Sequence, residues 1–240
     1  MNHRRPRHLP LVAVALVSFA GVANAQDERS VATSGAVSLT NSAHQATRLL
    51  VARSTKLNRV GWLEATTTFR PGVGLSYTVV REGGDKRIRN RVLRQVLDNE
   101  VEMSAPARAP QMAISEANYH IVTDTAGEVL HLAPRRKEPT LIEGTARVDA
   151  RGRLQKVEGR LAKSPSFWVR SVRVRRTYQT VSGHALPVLV ESVADVRLAG
   201  ACEFSMWIDY TTVDGMRIDR EATRPRMPGS EPSGLLIALH

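Results

Sequence analysis

The side chains able to do chemistry are scattered in this sequence. Five histidines follow the first 25 residues (His44, His120, His131, His184 and His240), and no two stand at a metal-ligand spacing. His120 and His131 come near each other only if their strands pair. No G-x-S-x-G, S-x-x-K or H-E-x-x-H segment is present, so neither an activated serine nor a metal-bound water has sequence support. Residues 71–77, "PGVGLSY", have two glycines but lack the third glycine and the helix start of a phosphate-binding loop. Residues 149–152, "DARG", read as a hairpin turn, and the carboxylates form no distinctive pair. The expectation is a chain that is not an enzyme, with no catalytic residue, no cofactor and no metal.

What the sequence does gather is apolar contact surface. Residues 166–179, "SFWVRSVRVRRTYQ", read as one long strand with Trp168, Val172, Val174 and Tyr178 on one side and Arg173 and Arg175 on the other. In the following segments Leu186, Val188, Val190, Ala194, Val196 and Leu198 keep the same phase, as do Phe204, Met206 and Ile208. Earlier in the chain Leu75, Tyr77 and Val79 alternate with polar neighbours. Trp168, Val172, Val174, Val188, Val190, Val196, Phe204, Met206, Ile208, Leu75, Tyr77 and Val79 are the expected ligand-binding residues of an apolar cavity, acting by burial of about 25 cal/mol per Å².

The elements that would position these residues follow from period and turn signals. Asn41 is placed to cap a helix running to about Ser54, with Ala43, Ala46, Leu49, Leu50 and Ala52 on its apolar side. Residues 60–69 and the stretch around 75–80 read as two strands joined by the turn Arg70-Pro71-Gly72, and Gly83-Gly84 ends the second. Asp85 then caps a helix whose stripe is Ile88, Val92, Leu93, Val96, Leu97 and Val101, with Lys86, Arg87, Arg91 and Arg94 opposite. Residues 104–111 are a Pro/Ala linker, and a helical turn near 115–118 follows it. Antiparallel strands fit near 119–124, 128–133, 143–149, 153–159, 167–180, 186–198 and 201–211, punctuated by Gly127, Gly152, Gly183 and Gly200. The tail after about residue 220 is Pro-rich until "GLLIALH", which could add an edge strand.

The last three strands can be registered on paper, because residues directly opposite in an antiparallel pair share a face. A loop at Ala199-Gly200-Ala201 sets Leu198 against Cys202, Val196 against Phe204, Ala194 against Met206 and Val190 against Tyr210. Tyr178 against Leu186 sets Val174 against Val190 and Trp168 against Val196. On the other face Arg173 meets Glu191 and Arg197 meets Glu203, while Glu191 against Asp209 is unfavourable. A strand over residues 167–180 would run over about 40 Å and must twist and curl. The fold class expected is mainly β (α+β), a curved antiparallel sheet forming an unclosed β-barrel with helices covering the concave face. Alternation alone does not say whether those helices fill the interior or leave a cleft.

The ends and the charge set the context. Arg4, Arg5 and Arg7, the apolar run of residues 11–20 and Ala23-Asn24-Ala25 form a secretory signal, residues 1–25, cleaved before Gln26. Residues 26–40 are a flexible lead-in, residues 41–220 a single domain and residues 221–240 a Pro-rich tail. A periplasmic location is expected. Cys202 is the only cysteine, so no internal disulfide is available, and its phase makes it a small buried apolar residue. The formal charge is +11, or +8 without the three signal arginines, which fits an anionic membrane surface or an envelope protein as partner. Nucleic acid is not expected as a partner, since the chain has no basic-aromatic motif of a nucleic-acid-binding module.

Three stretches resemble a known group: the G-x-A-x-V-D hairpin at 144–149, "KSPSFWV" at 163–169, and the L-P-x-x-x-E-S-x-x-D-V-R-L-x-G strand at 186–200. The chain from Phe69 to Val213 resembles exported bacterial proteins described as outer-membrane lipoprotein-sorting-like, with a LolA/LolB-like fold. The resemblance implies an unclosed barrel around an apolar cavity with helices as a lid. In the best-known members of that group the cavity carries lipoprotein acyl chains across the periplasm. Two departures stand out: the carrier's N-terminal signature and the lipidated cysteine of the outer-membrane acceptor have no counterpart here. A periplasmic protein holding lipid or lipoprotein acyl chains is the first expectation. An envelope sensor or protein-interaction module on the same fold, using the basic helix at 86–94, is the second.

Overall fold

The computed structural model describes residues 42–219; the expected signal, lead-in, Asn41 cap, Pro-rich tail and last edge strand fall outside them. The strands are β1 (His44–Ser54), β2 (Arg59–Arg70), β3 (Gly74–Gly84), β4 (Tyr119–Thr123), β5 (Val129–Pro134), β6 (Ile142–Val148), β7 (Leu154–Leu161), β8 (Val169–Val181), β9 (His184–Val196), β10 (Gly200–Val213) and β11 (Met216–Arg217). They form one antiparallel sheet in the order β3-β2-β1-β10-β9-β8-β7-β6-β5-β4, with β11 on β10. β3 and β4 do not pair, so the sheet is not closed into a barrel. One helical stretch lies between β3 and β4: α1 (Lys86–Ile88), a π-helical turn (Arg89–Leu93) and α2 (Arg94–Met103).

Alternation decides the faces. Leu186, Val188, Val190, Ser192, Ala194 and Val196 of β9 are buried, as are Phe204, Met206, Ile208 and Tyr210 of β10. All but Ser192 belong to one core cluster that takes residues from β1, β2, every strand from β4 to β10, and the helix. Ten flat strands would span about 43 Å from edge to edge, so a single core requires the sheet to wrap around its apolar side, here called the inner face. Gly144 and Gly159 face each other across β6 and β7. A Cβ at Gly144 would lie 2.1 Å from Glu158 O, and one at Gly159 2.2 Å from Glu143 O. Only a pair of glycines lets these two backbones approach so closely.

Four expectations are corrected by the coordinates. Residues 44–54 are β1, not a helix, because His44, Ala46, Arg48, Leu50, Ala52 and Ser54 are all buried at period two between β2 and β10. β9 and β10 are offset by four residues from the paper register: Gly200 opposes Val196, Cys202 opposes Ala194 and Met206 opposes Val190. Glu203 therefore meets Val193 rather than Arg197, and Glu191 meets Ser205 rather than Asp209. β8 and β9 close through Ser182-Gly183 (φ 49 and 84), a two-residue turn with both φ values positive, and a bulge at Thr177/Tyr178 then brings Arg175, not Arg173, opposite Glu191. The linker at 104–111 gives way to a 3₁₀ turn, Ala109–Met112.

The glycine contact generates a test. Gly159→Ala and Gly144→Ala should each destabilise the fold by about 1–3 kcal/mol, the usual cost of forcing atoms into filled space. Urea unfolding followed by tryptophan fluorescence measures this. An unchanged midpoint in either variant would show that the strands can part without loss.

Candidate functional site

The inner face is the candidate site, and the structure brings most of the expected residues to it, packed within the protein's own core. Val172, Val174, Val188, Val190, Val196, Phe204, Met206, Ile208 and Leu75 are each at most 5 % exposed, and Tyr77 and Val79 pack partly buried against the same core. Trp168 is the exception. β8 begins at Val169, and the bulge between Val169 and Ser171 puts Val169 on the inner face instead. Trp168 packs edge-on against Phe167, 5.6 Å between ring centroids, outside the core cluster.

The helix lies over the β1–β3 side. Asp85 caps it, its Oδ1 accepting from the amides of Arg87 (2.8 Å) and Ile88 (3.0 Å). Ile88, Leu93, Val96 and Leu97 are buried, Val92 and Val101 only partly so. The helix's polar contacts tie it to the sheet. Arg89 and Arg94 both donate to Glu82, at 2.6 and 2.7 Å. Tyr77 donates to Asp98 at 2.6 Å, and burial together with that carboxylate pushes its hydroxyl up to about 12. Ser104 Oγ accepts from Leu75 N at 2.7 Å. The coil at 105–118 covers more of the interior through Ala109, Met112 and Ile114, and Asn118 Nδ2 holds it by donating to Pro110 O and Ala113 O, both 2.9 Å.

Sequence reasoning missed the polar centre of this interior. Arg48 projects inward from β1, opposite Ala65 and Ile208, and is 1 % exposed. Its guanidinium pairs with Glu100 of α2, which is 2 % exposed, and its Nε donates to Thr67 Oγ1 at 3.1 Å. Thr67 in turn donates to Ala46 O at 3.2 Å. A signal was present: a lone arginine in phase with Ala46, Leu50 and Ala52, and a lone glutamate on the stripe that carries Val96 and Leu97. Such a charge is tolerated inside only with a partner of opposite sign.

His44 sits beside this centre. Its ring stacks on Phe69 (5.1 Å between centroids) and meets Tyr210 edge-on (5.3 Å). Nδ1–H donates to Ser42 O at 2.9 Å. Burial pulls its pKa down to about 4; the Ser42 carbonyl opposes this, Arg48 adds to it, and Asp214 opposes it. Tyr210 OH donates to Pro187 O at 2.9 Å, and burial raises its pKa. His44 Nδ1 and the Tyr210 hydroxyl each have a backbone carbonyl as partner. No group of three or more His, Cys, Asp or Glu able to hold a metal occurs among the described residues. Cys202 is half-buried, and burial raises its thiol pKa, so a thiolate is disfavoured.

The opposite face of the sheet is polar and forms an open groove of about 1450 Å³ across β4–β10. Its floor carries His131, Glu158, Arg175 and Glu191 in one cross-strand row, and Arg160, Arg173 and Val193 in the next.

Two outcomes follow. Arg48→Met alone leaves Glu100 buried and uncompensated and should cost about 3–5 kcal/mol, whereas Arg48→Met/Glu100→Leu should fall within about 1 kcal/mol of the wild type. A double-mutant cycle from urea unfolding gives both numbers; additive losses would show that the pair is not coupled. For His44, the folded pKa lies below the unfolded value near 6.5, so the unfolded chain takes the proton first. Its contribution is complete above about pH 6.5, falls by about 3 kcal/mol as pH drops toward 4, and is level below that. His44→Phe keeps a stacked ring and should lack this slope relative to the wild type in unfolding curves from pH 4 to 7.5.

Neither a protein-family model nor a curated protein sequence matches this chain.

Proposed function

We propose that the protein binds an apolar, acyl-bearing ligand, a lipid or a lipoprotein, against the inner face of its sheet in the periplasm, without catalysing a reaction. The observation that carries this reading is a mainly apolar inner face over β1 and β8–β10, interrupted by the buried Arg48, Arg176 and Ser192 and covered by a single helical stretch and a coil. The interior is closed in this state, with its lining almost wholly buried, so a ligand enters by displacing part of the cover. The coil at 105–118 is the part with fewest fastenings. Ser192 supports the same reading: its hydroxyl is buried on the inner face with no hydrogen-bond partner among the described residues. Such a group fits a polar atom of a bound molecule or a water. The LolA/LolB-like resemblance is consistent with it, and the unclosed antiparallel sheet is the architecture that resemblance implies.

The polar groove favours a second reading, an envelope sensor or interaction module that binds a protein partner on the outer face. The two readings separate cleanly. Protein purified under native conditions should release phospholipid or acylated peptide on solvent extraction and mass spectrometry, and should bind a fluorescent fatty acid at micromolar concentration. A lipid-free preparation with no fatty-acid binding, together with a stable protein partner in pull-downs, would replace the first reading with the second.

A further inference from the structure

One end of the sheet gathers loops that are both apolar and basic. The β1–β2 hairpin presents Leu57 (39 % exposed), the β9–β10 hairpin Leu198 (48 %) and the β7–β8 loop Phe167 (72 %). These loops touch. Thr55 N donates to Ala201 O at 3.4 Å, and the side chain of Lys56 lies against Gly200. Arg197 donates to Trp168 O and Phe167 O, both at 2.9 Å, while its guanidinium sits 4.5 Å from the centre of the Phe167 ring. Three of the eight large exposed hydrophobics among the described residues therefore stand side by side on adjacent loop tips, where a flat apolar medium can reach them together.

Cations surround them. Lys56, Lys163 and Arg197 are exposed on the same loops, and none has an ion-pair partner among the described residues. The start of α1 lies at this end too, tied there by Asp85 N to Val60 O (2.8 Å) and by Arg59 to Asp85 (3.4 Å). Lys86 and Arg87 are exposed in its first turn, also without an acidic partner among the described residues. Cations at the positive end of a helix oppose its dipole, so the chain keeps them there at a local cost. At the other end of the sheet the turns carry both signs, Asp124, Glu128, Asp149 and Asp214 with Arg70, Arg151 and Arg153; Arg153 pairs with Asp149, and His184 lies 3.0 Å from Asp214.

We infer that this end is a docking surface for an anionic lipid bilayer, with Leu57, Phe167 and Leu198 entering the headgroup layer and the basic rim contacting lipid phosphates. Apolar tips ringed by long cationic side chains match the two layers of such a surface: the tips leave water while the charges stay in it. A protein partner would need a matching acidic, concave face, whereas a bilayer needs only the flat array of tips.

The test is flotation of the full chain with vesicles of phosphatidylglycerol and phosphatidylcholine, compared with phosphatidylcholine alone. The wild type should float with the anionic vesicles and be released by 0.5 M salt, on the order of a Debye length of ~4 Å. Leu57→Ser/Phe167→Ser/Leu198→Ser should bind at least about tenfold more weakly, and Lys56→Glu/Lys86→Glu/Arg87→Glu on the order of 100-fold more weakly, since each cation near such a surface is worth about fivefold. Val73→Ser/Met216→Ser, changed in apolar residues at the other end, should float like the wild type. All these positions are exposed, and circular dichroism checks the fold. Equal flotation of the tip variants and the wild type, equal binding to neutral vesicles, or no flotation at all would overturn the assignment. Vesicle binding is scored independently of lipid retained inside the protein, so loss of one with the other intact identifies which reading has failed.

Discussion

A sheet with one apolar face and ten strands side by side cannot lie flat in water. Its inner side chains must be covered, and a single helical stretch of eighteen residues is too narrow to cover them all. Curling solves this by letting the sheet cover itself: the β4–β7 half bends toward the side shielded by the helix, and one core joins the two halves. At the Gly144/Gly159 pair two backbones of that half come too close for any side chain. Sheet order, the unpaired β3 and β4 edges and the long central hairpins all follow from wrapping a surface rather than closing a ring.

The polar groups inside make sense once covering is the constraint. An apolar stripe on a helix is satisfied by many positions along an apolar sheet, because burial has no direction. A buried ion pair is satisfied by one position. Arg48 on β1 and Glu100 on α2 therefore fix where the helix sits, even if two apolar residues would stabilise as much. The π-helical turn contributes to the same end. One extra residue in the coil of the helix brings Arg89 and Arg94 together on Glu82 while Leu93 turns fully inward.

Alternation is a record of faces, and faces were legible. Even-numbered residues from Leu186 to Val196 and from Phe204 to Tyr210 all point inward, and seven of the strands from residue 119 onward stand within two or three residues of their expected bounds. Register is another quantity. A slip of two or four residues leaves every face unchanged, so the sequence pattern could not tell Ala194 from Leu198 as the partner of Cys202. Turn chemistry and bulges decide that, and the bulge at Val169/Ser171 is also what removes Trp168 from the interior. β1 was illegible for a different reason. Half of its inward positions are His44, Arg48 and Ser54, which read as polar, so the remaining alanines and leucines fit a helical spacing better than a strand. The residues that defeated the pattern are the ones that build the polar centre.

The positive charge of the chain is not spread evenly over this architecture. On the outer face of the sheet it is balanced across strands: Arg175 lies between Glu158 (3.6 Å) and Glu191 (3.9 Å), Arg160 meets Glu143 (3.0 Å), and Arg170 meets Asp195 (3.7 Å). Each exposed pair adds little stability, but together they keep the broad face close to neutral. Where the helix meets β3, Glu82 takes both Arg89 and Arg94 and so offsets one of the two charges. At the loop end and the first helical turn, Lys56, Lys86, Arg87, Lys163 and Arg197 have no ion-pair partner among the described residues. A cluster of such cations at one end favours presenting that end to a negatively charged surface before any contact forms. The end presented first would be the one that carries the exposed apolar tips.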